Sequence, residues 1–156
     1  MSCSDMTKSP EGGVDNRRSV AQPSLHGNLM ELIVDSDNMQ RAWKQVKANK
    51  GVAGIDGMTI DDFPAFAKEN WETIRQALKD GTYQPTPLRR VTIPKPGVKG
   101  VRMLGIPIVL DRLITQAVSQ VLTPIFDPGF SESSFGSRPK RSAHGALRKV
   151  QQYISQ

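Results

Sequence analysis

Apolar positions recur at helical spacing through most of the chain and switch to alternation in one place. Around residues 29–34 a short apolar turn or helix is expected. Ser36 or Asp37 can cap a following helix in which Met39, Ala42, Trp43 and Val46 keep the i, i+3, i+4, i+7 pattern. The stretch NKGVAGIDGMTI, with three glycines, breaks it. Thr59 can cap the next helix, with Asp61 and Asp62 in its first turn and Pro64 where early amides have no internal partner. Phe66, Trp71, Ile74 and Leu78 extend its apolar face, with a split expected near Asn70, and KDGTYQPTP ends it.

The pattern then changes period. Val91 and Ile93 alternate with Arg90 and Thr92; Val101 and Met103 alternate with Arg102 and Leu104. A tip rich in Gly and Pro lies between them. The spacing predicts an antiparallel hairpin with strands at 88–95 and 101–107. Gly105 and Pro107 shape the strand exit. A strong helix follows, with Leu110, Leu113, Ile114, Ala117, Val118, Val121 and Leu122 in a wide apolar stripe, and FDPGF stops it. After the basic loop SESSFGSRPKR, Ser142 can cap a last helix whose apolar side carries Ala143, Ala146, Leu147, Val150, Tyr153 and Ile154. That face still runs where the sequence stops, as expected of a fragment or of an element that needs a partner. The fold class expected is α+β, mainly helical, with one antiparallel β-hairpin and packed helices.

Charge sharpens this picture. Residues 1–80 hold 10 basic and 12 acidic side chains, a net of −2, whereas residues 81–156 hold 11 basic and 3 acidic, a net of +8. No acidic residue occurs from Gly81 to Leu110. Positive charge gathered in one half is the footprint of a polyanion partner; the bland alternative is a solvated face that aids solubility. Residues 1–25, rich in Ser, Gly, Pro and Asn, are expected to be a flexible tail. The start of the chain has no apolar core of the kind a secretory signal needs, and no apolar run reaches the ~18 residues of a membrane span, so a cytoplasmic protein is expected. The single cysteine, Cys3, excludes an internal disulfide.

Three blocks in order, NKGVAGIDG (49–57), RRVTIPKPGVKGVRMLGIPIVLDRLITQAVSQVLTPIFDPGF (89–130) and SSFGSRPKRSAHGAL (133–147), resemble the reverse transcriptase/maturase encoded by bacterial group II introns. The resemblance covers about residues 28–156. It implies a helical N-terminal extension over 26–80 and part of the reverse-transcriptase fingers over 81–156, truncated before the palm. The activity implied is RNA-directed DNA synthesis with help in intron splicing. The partners implied are the intron RNA, an RNA template with its DNA primer, and a deoxynucleotide triphosphate in the complete enzyme.

Two-metal phosphoryl transfer needs carboxylates that clamp Mg²⁺. In the family these lie on a later aspartate strand and a Tyr-x-Asp-Asp hairpin. The expectation is therefore Mg²⁺ for the complete enzyme, and no catalytic or metal-binding residue in this chain. MTIDDF looks like a paired-aspartate turn, but helix-start carboxylates explain Asp61 and Asp62 without a metal.

The resemblance assigns Lys95 and Arg102, flanking the hairpin tip, to the triphosphate of the incoming nucleotide; the alternative is two solvated strand-end charges. Arg89 and Arg90 are assigned to template or primer phosphates, though one of them can instead pair with an acid of the palm. Arg138, Lys140 and Arg141 are assigned to the template, ahead of a helix start that also attracts phosphate. Lys50 and its glycine loop either lie along the template backbone or form a simple helix-to-helix turn. Trp43, Phe66 and Trp71 are expected in the core, not as base-stacking platforms. His144 is expected to make a polar contact, with no second metal ligand nearby. Asp111 and Arg112 are expected to pair with each other. Two departures from the family stand out. Ser137 replaces a usual aromatic, which weakens the loop's apolar anchor, and the tip PKPGVKGVR is slightly long. A free-standing, non-catalytic RNA-binding module is the alternative to the polymerase fragment.

Overall fold

The computed structural model describes residues 28–97 and 99–155; the tail expected over 1–25 lies outside the described residues. A short helix α1, Leu29–Ile33, runs into α2, Ser36–Ala48. The cap of α2 is Asp35, one residue earlier than expected. Its carboxylate accepts from the amides of Asp37 and Asn38 at 3.0 and 3.3 Å. Helix α3 is Phe63–Lys79. Thr59 and Asp62 form a capping box ahead of it: the Asp62 carboxylate accepts from the Thr59 amide and hydroxyl, and the Asp62 amide donates back to the Thr59 hydroxyl. Those bonds hold the Asp62 carboxyl below the usual carboxylate range. Asp62 is thus the cap residue of α3, and Asp61 precedes it; neither lies in the first turn, where the sequence pattern placed them.

Helix α3 is not split at Asn70, whose side-chain amide donates to the Phe66 carbonyl at 2.9 Å and so stays inside the helical ladder. Its end is a Schellman turn. Gly81 sits at φ +68, its amide bonds the Leu78 carbonyl, and the Thr82 amide bonds the Ala77 carbonyl at 2.9 Å.

Strands β1, Arg89–Pro94, and β2, Val101–Ile106, form the expected antiparallel hairpin, and among the described residues they pair only with each other. Helix α4, Val109–Phe126, leads into a single 3-10 turn, Asp127–Gly129, and α5 is Ala143–Ile154. The Ser142 hydroxyl caps α5 by accepting from the Gly145 amide at 3.2 Å. The architecture is thus mainly helical α+β, as the sequence pattern predicts.

One core joins the two halves of the chain. Ile33, Met39, Ala42, Val46, Phe63 and Leu78 pack with Ile108, Val109, Leu110, Leu113 and Ala117. Trp43 stacks on Phe63 with ring centroids 5.0 Å apart, and Phe66 lies 6.1 Å beyond; Trp71 packs on the same cluster. These aromatic residues are core, as expected. A buried polar bolt crosses it. The Asn38 side-chain amide donates to the Ile33 carbonyl at 2.9 Å and to the Ala117 carbonyl at 3.1 Å, tying α1, α2 and α4 together. The hairpin and α5 lie outside this core. No residue of α5 is buried, and Leu147, Val150, Tyr153 and Ile154 are all exposed.

Candidate nucleic-acid interface

The hairpin register decides which of its basic residues act together. Arg89 opposes Ile106, Val91 opposes Leu104 and Ile93 opposes Arg102. Opposed residues share a face, so Arg89 and Arg102 lie on one side with Val91, Ile93 and Leu104. Lys95, whose amide donates to the Gly100 carbonyl at 3.0 Å, continues that row. Arg90 lies on the other face, with Thr92, Met103 and Val101. Leu88 confirms the second face: a β-carbon on Gly105 would sit 2.8 Å from its Cδ1. Gly105 therefore lets Leu88 close over the base of the hairpin.

Arg89, Arg90, Lys95, Lys99 and Arg102 are all exposed. Among the described residues, none of them forms an ion pair. Arg89 spends one donor internally, bonding the Ala53 carbonyl at 3.2 Å.

That bond belongs to a larger joint. The 49–57 loop is fastened to the start of α4 by Arg112, which donates to the Pro107 carbonyl at 3.0 Å and to the Val52 carbonyl. Gly54 is buried against Ile108, and Gly51 gives up its side-chain space to the Arg112 guanidinium. Two of the loop's three glycines thus serve close approach to the protein itself. Lys50 projects from this loop at φ +45 and is exposed. The expected Asp111–Arg112 pair is absent. Asp111 is buried and accepts from the Tyr83 hydroxyl at 2.6 Å and from the Thr86 amide at 3.0 Å, which anchors the segment entering β1. Burial, reinforced by that carboxylate, pushes the Tyr83 hydroxyl well above its ordinary value. Residues 111 and 112 are consecutive on a helix, so they point apart and bind different loops.

The 131–142 loop carries the other three candidates, and the structure separates them. Arg138 is turned inward, with only 8% of its side chain exposed. Its Nε donates to the Asp127 carboxylate at 2.7 Å and its Nη2 to the Asp127 carbonyl at 2.8 Å. Its Nη1 reaches the Ser131 carbonyl at 2.9 Å and the Ser134 carbonyl at 3.3 Å. The guanidinium also lies over the Phe130 ring. These partners occupy the donors that a phosphate would need. Lys140 is exposed, at φ +59, while Arg141 is half-buried over the Phe135 ring and donates to the Glu132 carbonyl at 2.9 Å. With Ser137 in place of an aromatic, two arginine–phenylalanine stacks supply the loop's apolar contacts. His144 is exposed one residue inside α5.

Sequence reading named Arg112 but gave it the wrong partner, and it missed Asp127. The partners of Arg112 are mostly backbone carbonyls, which leave no sequence signal. Asp127 had one: it is among only three acidic residues in a strongly basic half.

The chain is 42% identical over 122 residues to the group II intron-encoded protein LtrA of Lactococcus lactis subsp. cremoris. The chain belongs to the group II intron-encoded reverse transcriptase/maturase family. It is also 36% identical over 135 residues to protein YkfC of Escherichia coli and 32% identical over 145 residues to an uncharacterized 91 kDa protein in the cob intron of Schizosaccharomyces pombe. These matches cover 78%, 85% and 86% of the chain, but only 20%, 35% and 17% of the relatives. The chain therefore corresponds to about a fifth of the group II intron-encoded protein LtrA. No protein-family model matches it. Among the described residues no helix is long and apolar enough to cross a membrane.

Proposed function

We propose that this chain supplies the N-terminal extension and the fingers portion of a group II intron reverse transcriptase, and that its basic surface holds RNA. The observation that carries this reading is the exposed hairpin: five cationic side chains, unpaired among the described residues, in a stretch without acids. The register supports two uses of it. Lys95 and Arg102 share a face and suit the triphosphate of an incoming deoxynucleotide, with Arg89 on the same side. Arg90 on the opposite face, together with Lys50, Lys140 and Arg141, suits the phosphates of the intron or template RNA.

The test is RNA binding by fluorescence anisotropy across a salt series. About four phosphate contacts on single-stranded RNA give a log–log slope near −3. Arg90→Ala is expected to reduce the slope by roughly 0.7 to 1. Lys95→Ala has little effect in the absence of nucleotide, and Lys68→Ala on α3 serves as a control. A flat salt response, or equal losses at Lys68 and Arg90, refutes the reading.

The donor set does not fit a catalytic Mg²⁺ site. Of the three carboxylates after residue 80, Asp111 is bonded to Tyr83 and Thr86, Asp127 is bonded to Arg138, and Glu132 lies exposed on the loop. No cluster of metal ligands occurs among the described residues. The 156-residue polypeptide alone is therefore expected to give no primer extension with Mg²⁺, template–primer and nucleotides. Extension that co-purifies with the protein, and is lost in an Arg102→Ala variant, overturns this. RNA binding without extension is also the behaviour of a non-catalytic module. Adding the polypeptide that carries the family's aspartate strand and Tyr-x-Asp-Asp hairpin separates the two, because only a fingers portion supports synthesis then.

A further inference from the structure

The Arg138–Asp127 pair joins the end of α4 to the 131–142 loop, and four of the five guanidinium N–H donors are spent within it. Arg138 gathers carbonyls at 127, 131 and 134 and one carboxylate around a single guanidinium. The loop that leaves this hub is held in an unusual path. Ser137 and Lys140, on either side of Arg138 and Pro139, both take left-handed backbone conformations at φ +53 and φ +59, which ordinary side chains seldom adopt. The Arg141 amide closes the turn on the Arg138 carbonyl at 3.3 Å, with Lys140 exposed at its tip. Such a turn persists only where its surroundings over-determine it, and the fork geometry of arginine is suited to fix several acceptors at once.

We infer that the Arg138–Asp127 hub is a positioning device that aims Lys140 and Arg141 at the RNA backbone. The inference rests on the RNA-binding reading above and deepens it. Arg138 is a positioning residue here, and Asp127 is its counterpart.

The sign of one substitution tests it. Asp127→Asn removes a negative charge from a basic surface. If charge alone governs binding, the variant binds RNA more tightly. If the pair positions the loop, the variant binds more weakly even though its net charge has become more favourable. The assay uses the full chain and a fluorescein-labelled single-stranded RNA oligonucleotide across a salt series, with circular dichroism to verify folding. Asp127→Asn is expected to weaken binding about fivefold and to lower the salt slope by about 0.7, the value of one phosphate contact. Lys140→Ala is expected to do the same, and the double variant to lose little more than either single.

Arg138→Lys, which keeps the charge but not the fork, is expected to behave like Asp127→Asn and gives an independent answer if that variant does not fold. Unchanged or tighter binding by folded Asp127→Asn or Arg138→Lys overturns the inference, as do fully additive losses. A wild-type protein with a flat salt response overturns the RNA-binding reading as well. A salt-dependent wild type beside a tight-binding Asp127→Asn overturns the hub alone.

Discussion

Gly54→Ala is expected to destabilise the fold by about 3 kcal/mol, at the upper end of what one inserted methyl group costs in a packed interior. A β-carbon there would lie 2.7 Å from the Ile108 Cα and 2.8 Å from its backbone nitrogen and Cγ2. Two of these three atoms are backbone, and Ile108 is buried at the start of α4, so no side-chain rotation relieves the clash. The 49–57 loop must lift instead, and lifting it breaks the Arg112–Val52 and Arg89–Ala53 bonds. Gly57→Ala is the internal control. Gly57 has a positive φ of +72 and open space around it, so its substitution costs only the left-handed backbone penalty, roughly 1 kcal/mol. Urea denaturation of both variants measures the difference. Equal losses at the two positions would mean that the loop is held by its turn geometry and not by its seat on Ile108.

The contrast between these glycines shows where the sequence was legible. That NKGVAGIDG breaks a helix follows from its composition. That Gly54 serves close approach while Gly57 serves a turn depends on where α4 starts in space, more than fifty residues later. The helices themselves were readable because each carries an apolar stripe and a start signal within a few residues: Ser142 for α5, the Thr59 box for α3. The errors were local competitions. Asp35 outcompetes Ser36 as the cap of α2 because its carboxylate reaches two amides. Asn70 stays helical because its side chain bonds back to Phe66.

The hairpin was legible as an element but not as a site. Both strands carry apolar residues at alternate positions, and the two apolar rows, Val91 and Ile93 against Val101 and Met103, lie on opposite faces. A slip of one residue in the register would exchange the faces of one strand, and alternation alone does not fix it. The division of Arg89, Lys95 and Arg102 from Arg90 therefore emerges only from pairing. Arg138 illustrates the other limit. Within SRPKR the three basic residues look equivalent in sequence. They diverge because one acid, Asp127, lies within reach of one of them, and desolvating that guanidinium is offset by four hydrogen bonds.

Asn38→Asp is expected to cost about 3 kcal/mol at neutral pH, the lower end of the range for a buried charge short of partners, because Arg41 stays beside one of its oxygens. Asn38 is 2% exposed, and its amide nitrogen is the donor to two carbonyls, Ile33 and Ala117. A carboxylate of the same shape has no proton to give. It sets one charged oxygen against two carbonyl oxygens in the core, while its other oxygen keeps the contact that Arg41 makes at 3.3 Å in the native chain. The introduced group is buried and short of donors, so its folded-state pKa lies above the unfolded carboxylate value of about 3.9. A raised carboxyl pKa makes the folded state bind the proton more tightly. The deficit is therefore full above the folded pKa and shrinks as pH falls through it, once the protonated acid can donate to one of the carbonyls. Asn38→Leu loses the same two bonds but buries no charge. It is expected to cost about 2 kcal/mol, with a deficit that does not follow this carboxyl titration. Chemical denaturation of both variants against the wild type, at neutral and at mildly acidic pH, separates the cases. An Asn38→Asp deficit of under about 1 kcal/mol would show that the joint between α1, α2 and α4 is held by apolar packing alone, whereas one that grows on acidification would show that Arg41 compensates the introduced charge.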